Sequence, residues 1–136
     1  MIDVSLSDVY DRYQASWVRR DWDVFRSTLH EQYVFSVGGA EVGDQDATVQ
    51  WSSQLLGGFS EYEQEIVARY PSAGVLVVEA VATGICNGKA LSPNLPVPEP
   101  GREIRLPYAK ILRFEHGLIR DDRQYHDVAT LMRQLY

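Results

Sequence analysis

Polar and apolar residues alternate with a period of two through the stretch from Arg102 to Glu115. Ile104, Leu106, Tyr108, Lys110, Leu112 and Phe114 fall on one face; Glu103, Arg105, Pro107, Ala109, Ile111, Arg113 and Glu115 fall on the other. Successive strand side chains point to opposite faces, so the pattern predicts a half-buried β-strand with one lysine at the centre of its apolar face. The first third of the chain follows a helical period instead. Leu6, Val9, Tyr10, Tyr13 and Trp17 recur at three- and four-residue spacing behind Ser5, a residue type that caps helix N-termini. Asp21 caps a second short helix with Val24, Phe25 and Leu29 on its apolar face, and Asp44 a third with Thr48, Trp51, Leu55 and Leu56, ended by Gly57-Gly58. Between them Tyr33, Phe35 and Val37 alternate as a strand that Gly38-Gly39 ends.

The second half reads as strands. Glu61, Glu63 and Glu65 alternate with Tyr62, Gln64 and Ile66, and the turn from Pro71 to Gly74 leads into a β-rich run from Val75 to Cys86. "NGKALSPNLPVPEPG", Asn87 to Gly101, carries Pro93, Pro96, Pro98 and Pro100 and reads as a stiff loop, expected to cover a pocket mouth or a partner subunit with Leu91, Leu95 and Val97. Strands from Arg102 to Glu115 and Leu118 to His126 follow, then a closing helix with Val128, Leu131, Met132 and Leu135. Helices followed by a run of antiparallel strands form an α+β pattern, here a single domain over residues 1–136.

The turn at Glu115-His116-Gly117 decides what faces Lys110. His-Gly is unusual for a two-residue type I′ turn, so a three-residue loop with Gly117 in the left-handed conformation is the favoured reading. It places Leu118, Arg120, Asp122 and Gln124 on the face of Tyr108 and Lys110. A two-residue turn would bring Arg123 and Tyr125 inward instead.

Composition narrows the function class. The chain has 136 residues, 45% of them hydrophobic and 24% charged, as in an ordinary globular domain. A net charge of −6 without clustered Lys or Arg argues against nucleic-acid and anionic-membrane partners. A lone cysteine, Cys86, excludes an intrachain disulfide, and three scattered histidines lack metal-ligand spacing. His30 and His116 read as surface residues, and His126 as a weaker pocket candidate. No phosphate loop or dinucleotide fingerprint appears, so no cofactor is expected. Acidic residues near the N-terminus and the absence of a long apolar run lead to the expectation of a cytoplasmic protein.

The order of elements, with "GREIRLPYAKILRFEHGLI", a following aromatic-x-Asp and a terminal "RQL", resembles the SnoaL-like polyketide cyclases. These belong to the nuclear transport factor 2-like superfamily, with ketosteroid isomerase, limonene epoxide hydrolase and scytalone dehydratase. The resemblance spans nearly the whole chain and implies a cone: a curved antiparallel sheet packed against N-terminal helices, enclosing one pocket, commonly as a homodimer. It implies site positions too. The penultimate-strand position, Asp in the isomerase and His in the anthracycline cyclases, falls on Lys110. The last-strand aspartate of those cyclases and of the epoxide hydrolases falls on Gln124. The isomerase's oxyanion-donating tyrosine falls on Tyr13, while its base falls on Val37 and is absent. Tyr108 and Lys110 stand where the hydrolase would have its arginine and first acid.

Lys110, Gln124, Tyr13 and Asp122 are thus the candidate catalytic residues, with Trp17, Trp51, Tyr62 and Tyr108 as substrate-binding walls. Gln and an ammonium donate hydrogen bonds without removing protons. Such donors stabilise negative charge developing on a carbonyl or enolate. Ring closure or isomerisation of a small apolar, polyketide-like carbonyl compound fits that chemistry. A neutral Lys110 amine could also act as a base or form a Schiff base, and Lys110 could instead simply pair with Asp122. Two other functions stay open: a non-catalytic ligand-binding or dimerisation module, and a hydrolase or dehydratase pairing Asp122 with Tyr13 or Tyr108. Glu79 reads as solvent-facing.

Overall fold

The computed structural model describes residues 5–136. Helix α1 (Leu6–Arg19) begins where the Ser5 hydroxyl accepts the Ser7 N–H, and it buries Val9, Tyr10 and Tyr13. Asp21 caps α2 (Trp22–Ser27), whose Phe25 is fully buried. Strands β1 (Leu29–Val37) and β2 (Ala40–Gly43) form a hairpin, and Asp44 caps α3 (Gln45–Gly57). The short β2 goes beyond the sequence reading, which ended the segment at Gly38-Gly39. Both glycines have positive φ, the geometry of a two-residue hairpin turn. Then come β3 (Phe59–Ser72), β4 (Val75–Cys86), β5 (Glu103–Glu115), β6 (Leu118–His126) and α4 (Val128–Leu135).

The sheet is six-stranded in the order β2-β1-β6-β5-β4-β3. All neighbours run antiparallel except β1 and β6, which pair parallel. Two register shifts on β3, one at Glu61 with φ +54°, bend the long outer strand. Bulges of this kind increase local twist and curve a sheet. The helices fill the concave side, where Leu76, Val78, Leu112 and Ile119 are fully buried against α1 and α2.

The β5–β6 hairpin corrects the expected turn. His116 and Gly117 both have positive φ, at 54° and 75°, and Glu115 pairs with Leu118, so the turn has two residues. By itself that turn would carry Arg123 and Tyr125 inward. It does not, because Phe114 pairs with Ile119 while Arg113 pairs with Asp121, leaving Arg120 as an extra, bulged residue. Beyond the bulge Asp122 faces Leu112 and Gln124 faces Lys110. Ile119 takes the inner position expected for Leu118, and Arg120 turns to the Gln32 carbonyl and to Glu115. Lys110 is buried and Arg113 exposed, as the alternation requires.

The proline-rich connection is pinched at its base by Cys86 N–H to Arg102 O (2.7 Å) and Gly101 N–H to Cys86 O (2.8 Å). Leu91 is buried among Phe59, Ile104 and Leu135, whereas Val97, expected on the covering side, is 54% exposed. Gly58 lies so close to Leu91 that a Cβ there would overlap its side chain. Helix α4 is strapped to β5 by the Gln134 amide, which bonds both the N–H and the C=O of Arg105, and the Tyr136 hydroxyl donates to the Pro96 carbonyl.

Deleting Arg120 removes only the extra residue, so Asp121 would still face Arg113 and Asp122 would stay inside. The expected outcome is a folded protein that loses on the order of 1 kcal/mol, the scale of a few exposed polar contacts, in urea denaturation. A deletion variant that is unfolded or exposes Asp122 would disprove this register.

Candidate active site

A cavity of about 360 Å³ opens between the sheet and the helices. Tyr13 and Trp17 reach it from α1, Trp51 from α3, Tyr62 from β3, Tyr108 and Lys110 from β5 and Gln124 from β6. Asp122 does not line it. Its side chain is fully buried behind Lys110 and Tyr13, which separates it from the candidate set it was grouped with.

That carboxylate is the electrostatic centre of the wall. Lys110 Nζ donates to Asp122 Oδ2 at 2.7 Å, and the Tyr13 hydroxyl donates to the same oxygen at 2.6 Å. Tyr13 Oη is also 2.6 Å from Tyr33 Oη. A phenol has one proton, and Tyr13 commits its own to Asp122, so Tyr33 donates to Tyr13. The chain runs Tyr33 to Tyr13 to Asp122, with Lys110 closing it from the other side. Asp122 Oδ1 has no partner among the described residues. Lys110 Nζ also lies 5.2 Å from the Phe35 ring centre and 5.6 Å from that of Tyr13, within cation–π range. Of the three ammonium protons, one is held by Asp122 and the others can face the cavity.

Burial pushes the hydroxyls of Tyr13 and Tyr33 well above the ordinary tyrosine range, and the Asp122 charge adds to it. Burial likewise raises Tyr10 and Tyr108, and pushes Tyr62 up to about 12. These phenols stay protonated, as donors. The Tyr108 hydroxyl is buried without a partner among the described residues. Trp17 Nε1 donates to Ser52 Oγ at 2.8 Å and its ring meets Tyr62 edge-on, while Trp51 packs edge-on against Phe35. Gln124 stands opposite Lys110, but its amide lies 3.3 Å from His126 Nδ1.

Sequence reading passed over Tyr33, Phe35, Tyr10 and Gln64 as site residues. The signals were present: Tyr33 and Phe35 share a strand face, Tyr10 lies one helical turn before Tyr13, and Gln64 has the parity of Tyr62. The proline-rich loop contributes Leu91, Ser92 and Leu95 to the cavity, and α4 contributes Leu131, Met132 and Leu135.

Away from the cavity, at the β5–β6 turn, His30, Glu115 and His116 come within 4.8 Å of one another. The His30 side chain is only 12% exposed, more buried than its loop-side position suggested. Its Nδ1 accepts the Gln32 N–H at 3.0 Å, so the neutral ring carries its proton on Nε2, the atom facing Glu115. A metal at Nε2 would need that proton moved to Nδ1 and the Gln32 bond broken.

A helix-backed curved sheet around one cavity is the ketosteroid isomerase-like architecture. A Catenulispora acidiphila protein of that fold, solved with trimethylamine, superposes with a TM-score of 0.74 at 16% identity over 93% of this chain and 91% of its own. The provisionally named SnoaL-like polyketide cyclase of Jannaschia sp. CCS1 gives 0.83 at 21% identity, over 99% and 97%. An epoxide hydrolase of M. tuberculosis, like limonene epoxide hydrolase, gives 0.74 at 14%, over 96% and 88%. No curated protein matches at the sequence level. The SnoaL-like domain profile matches residues 10–121, and the chain belongs to that family. Asp122, Gln124 and His126 lie just beyond the matched segment.

Lys110→Met leaves a fully buried carboxylate with Tyr13 as its only donor among the described residues. Its expected cost is ~3–5 kcal/mol in urea denaturation. Replacing the pair, Lys110→Met with Asp122→Leu, should recover most of that loss, because an apolar pair of similar volume avoids the desolvation of both charges. A single variant as stable as wild type would mean that the buried carboxylate does not depend on Lys110 for its compensation.

Proposed function

We propose that this protein is a cofactor-free cyclase or isomerase for a small, apolar, carbonyl-bearing compound of polyketide type. The observation that carries the reading is the composition of the cavity wall: aromatic and aliphatic surface, hydroxyl and amide donors, one ammonium and no carboxylate among the described lining residues. A ligand there must offer acceptors on an apolar frame. The Lys110 protons not used by Asp122 are aimed by the ion pair before any substrate arrives, and one such preorganised donor is typically worth ~2.7–4 kcal/mol to a developing oxyanion. In this scheme Tyr13 and Asp122 hold Lys110, and Trp17, Trp51, Tyr62 and Tyr108 shape the binding surface. Polarisation and proton transfer are supplied by side chains alone. A hydrolase or dehydratase using Asp122 is less well supported, because that carboxylate reaches the cavity only through Lys110 and Tyr13.

The outer sheet face supports assembly as a homodimer. Val77, Val81, Ala109 and Ile111 form a partly exposed apolar band there, with Tyr125 42% exposed beside it.

Trp17 and Trp51 provide the assay, since ligands entering the cavity should quench their fluorescence. Bicyclic aromatic ketones and linear polyketone analogues should bind, and mass spectrometry separates isomerisation (mass unchanged) from condensing ring closure (loss of water). In the Lys110→Met/Asp122→Leu protein, turnover should fall by roughly 10²–10³ with the fold intact. Unchanged turnover would remove Lys110 from the reaction, and binding without turnover of any compound would favour a ligand-binding module. Deleting Ser92 to Pro98 should weaken ligand affinity, whereas unchanged affinity would reduce the loop to a spacer.

A further inference from the structure

We infer that His126, positioned by Gln124, is the proton acceptor of the cavity, so that its reaction begins by removing a proton from carbon. The inference rests on the reading of the cavity as a site for carbonyl compounds and adds the base that reading lacks. Among the described lining residues there is no Asp or Glu; the tyrosines are held protonated, and Lys110 is committed to Asp122. The His126 imidazole is the one lining side chain with a basic lone pair.

Its placement follows from the same hairpin. The Arg120 bulge puts Gln124 and His126 on the inner face of β6, opposite Lys110 and Tyr108. Gln124 Nε2 lies 3.3 Å from His126 Nδ1. As placed, the amide donates to Nδ1. Turned by 180°, its oxygen accepts from Nδ1–H and leaves the Nε2 lone pair free for a substrate proton. The imidazolium formed by proton removal keeps that bond. Gln124 therefore acts as a neutral orienting group, the role a carboxylate has in other nucleophile–base arrangements.

The ring's surroundings keep it a free base. Burial lowers the His126 pKa from its ordinary value, opposed by the charge of the adjacent Asp127. The other titratable groups bordering the same cavity are the Lys110 ammonium and Tyr108 from β5, Tyr62 from β3, and Tyr10 and Tyr13 from α1; among the described lining residues Lys110 alone is charged.

The test uses 5-nitrobenzisoxazole, a planar apolar probe that reacts by base removal alone. The base takes the C3 proton, those electrons complete the nitrile as the N–O bond breaks, and a coloured cyanonitrophenolate leaves. Quenching of Trp17 and Trp51 reports binding independently. Activity should fall as pH drops through an apparent pKa below the ordinary histidine value, because only the neutral ring accepts a proton. His126→Gln and His126→Asn, checked for folding by thermal denaturation, should each lose roughly 10²-fold or more in rate and lose the pH step. Gln124→Glu should move the step to higher pH by stabilising the imidazolium, which assigns the step to the ring beside residue 124. Retained rate and pH step in both His126 variants would overturn the proposal, as would a bound probe with no elimination above buffer. Failure of the probe to quench either tryptophan would overturn the reading of the cavity itself, and the proposal with it.

Discussion

Every part of the site depends on how the Asp122 carboxylate is satisfied. It is shut off from bulk solvent, and an isolated buried carboxylate is far too costly to keep. Its donors come from parts of the chain distant in sequence: Lys110 twelve residues before it, and Tyr13 from α1, 109 residues away. Tyr33 of β1 extends the chain by one more bond. Helix α1 is thereby fixed against β5 and β6 at one depth. The ammonium held in that arrangement is the single charge that the described lining residues present to the cavity. A pair like this contributes little net stability compared with apolar packing, but it penalises arrangements that break it.

Backbone irregularities make the pairing possible. A two-residue turn alone would leave Asp122 on the outer face, and one bulged residue restores it. Small residues on β4 then leave room for a ligand. Ala80, Ala82 and Gly84 line the inner face, and a Cβ on Gly84 would come within 3.0 Å of the Phe59 ring. The cavity thus has its volume because one strand is narrow where its neighbours carry aromatic side chains.

The chemical character of the wall departs from the acids its fold relatives are expected to use. A shared architecture does not fix the reaction. Where the resemblance implied Asp or His, this chain carries an ammonium, an amide and, two residues further along β6, an imidazole. Donors are concentrated at depth, and the one basic lone pair sits toward the strand end. That separation suits a substrate whose carbonyl and acidic carbon are distinct parts of one frame.

The inward Lys110, the outward Arg113, the three capped helices and the proline-rich loop were legible in the sequence, because each depends on a local period, a short capping motif or the proline content itself. The SnoaL-like resemblance was legible for the same reason, in the order of elements and the β5 segment. The turn type was not, since His-Gly seldom takes the conformation it adopts here, and the bulge left no separate signature. Nor could periodicity reveal that Asp122 lies behind the cavity wall while His126 lines it; both occupy the inner face. Alternation along one strand is a property of its own backbone. Register between strands, and the depth at which a side chain meets a helix, are set by contacts among segments far apart in sequence, and only the tertiary structure decides them.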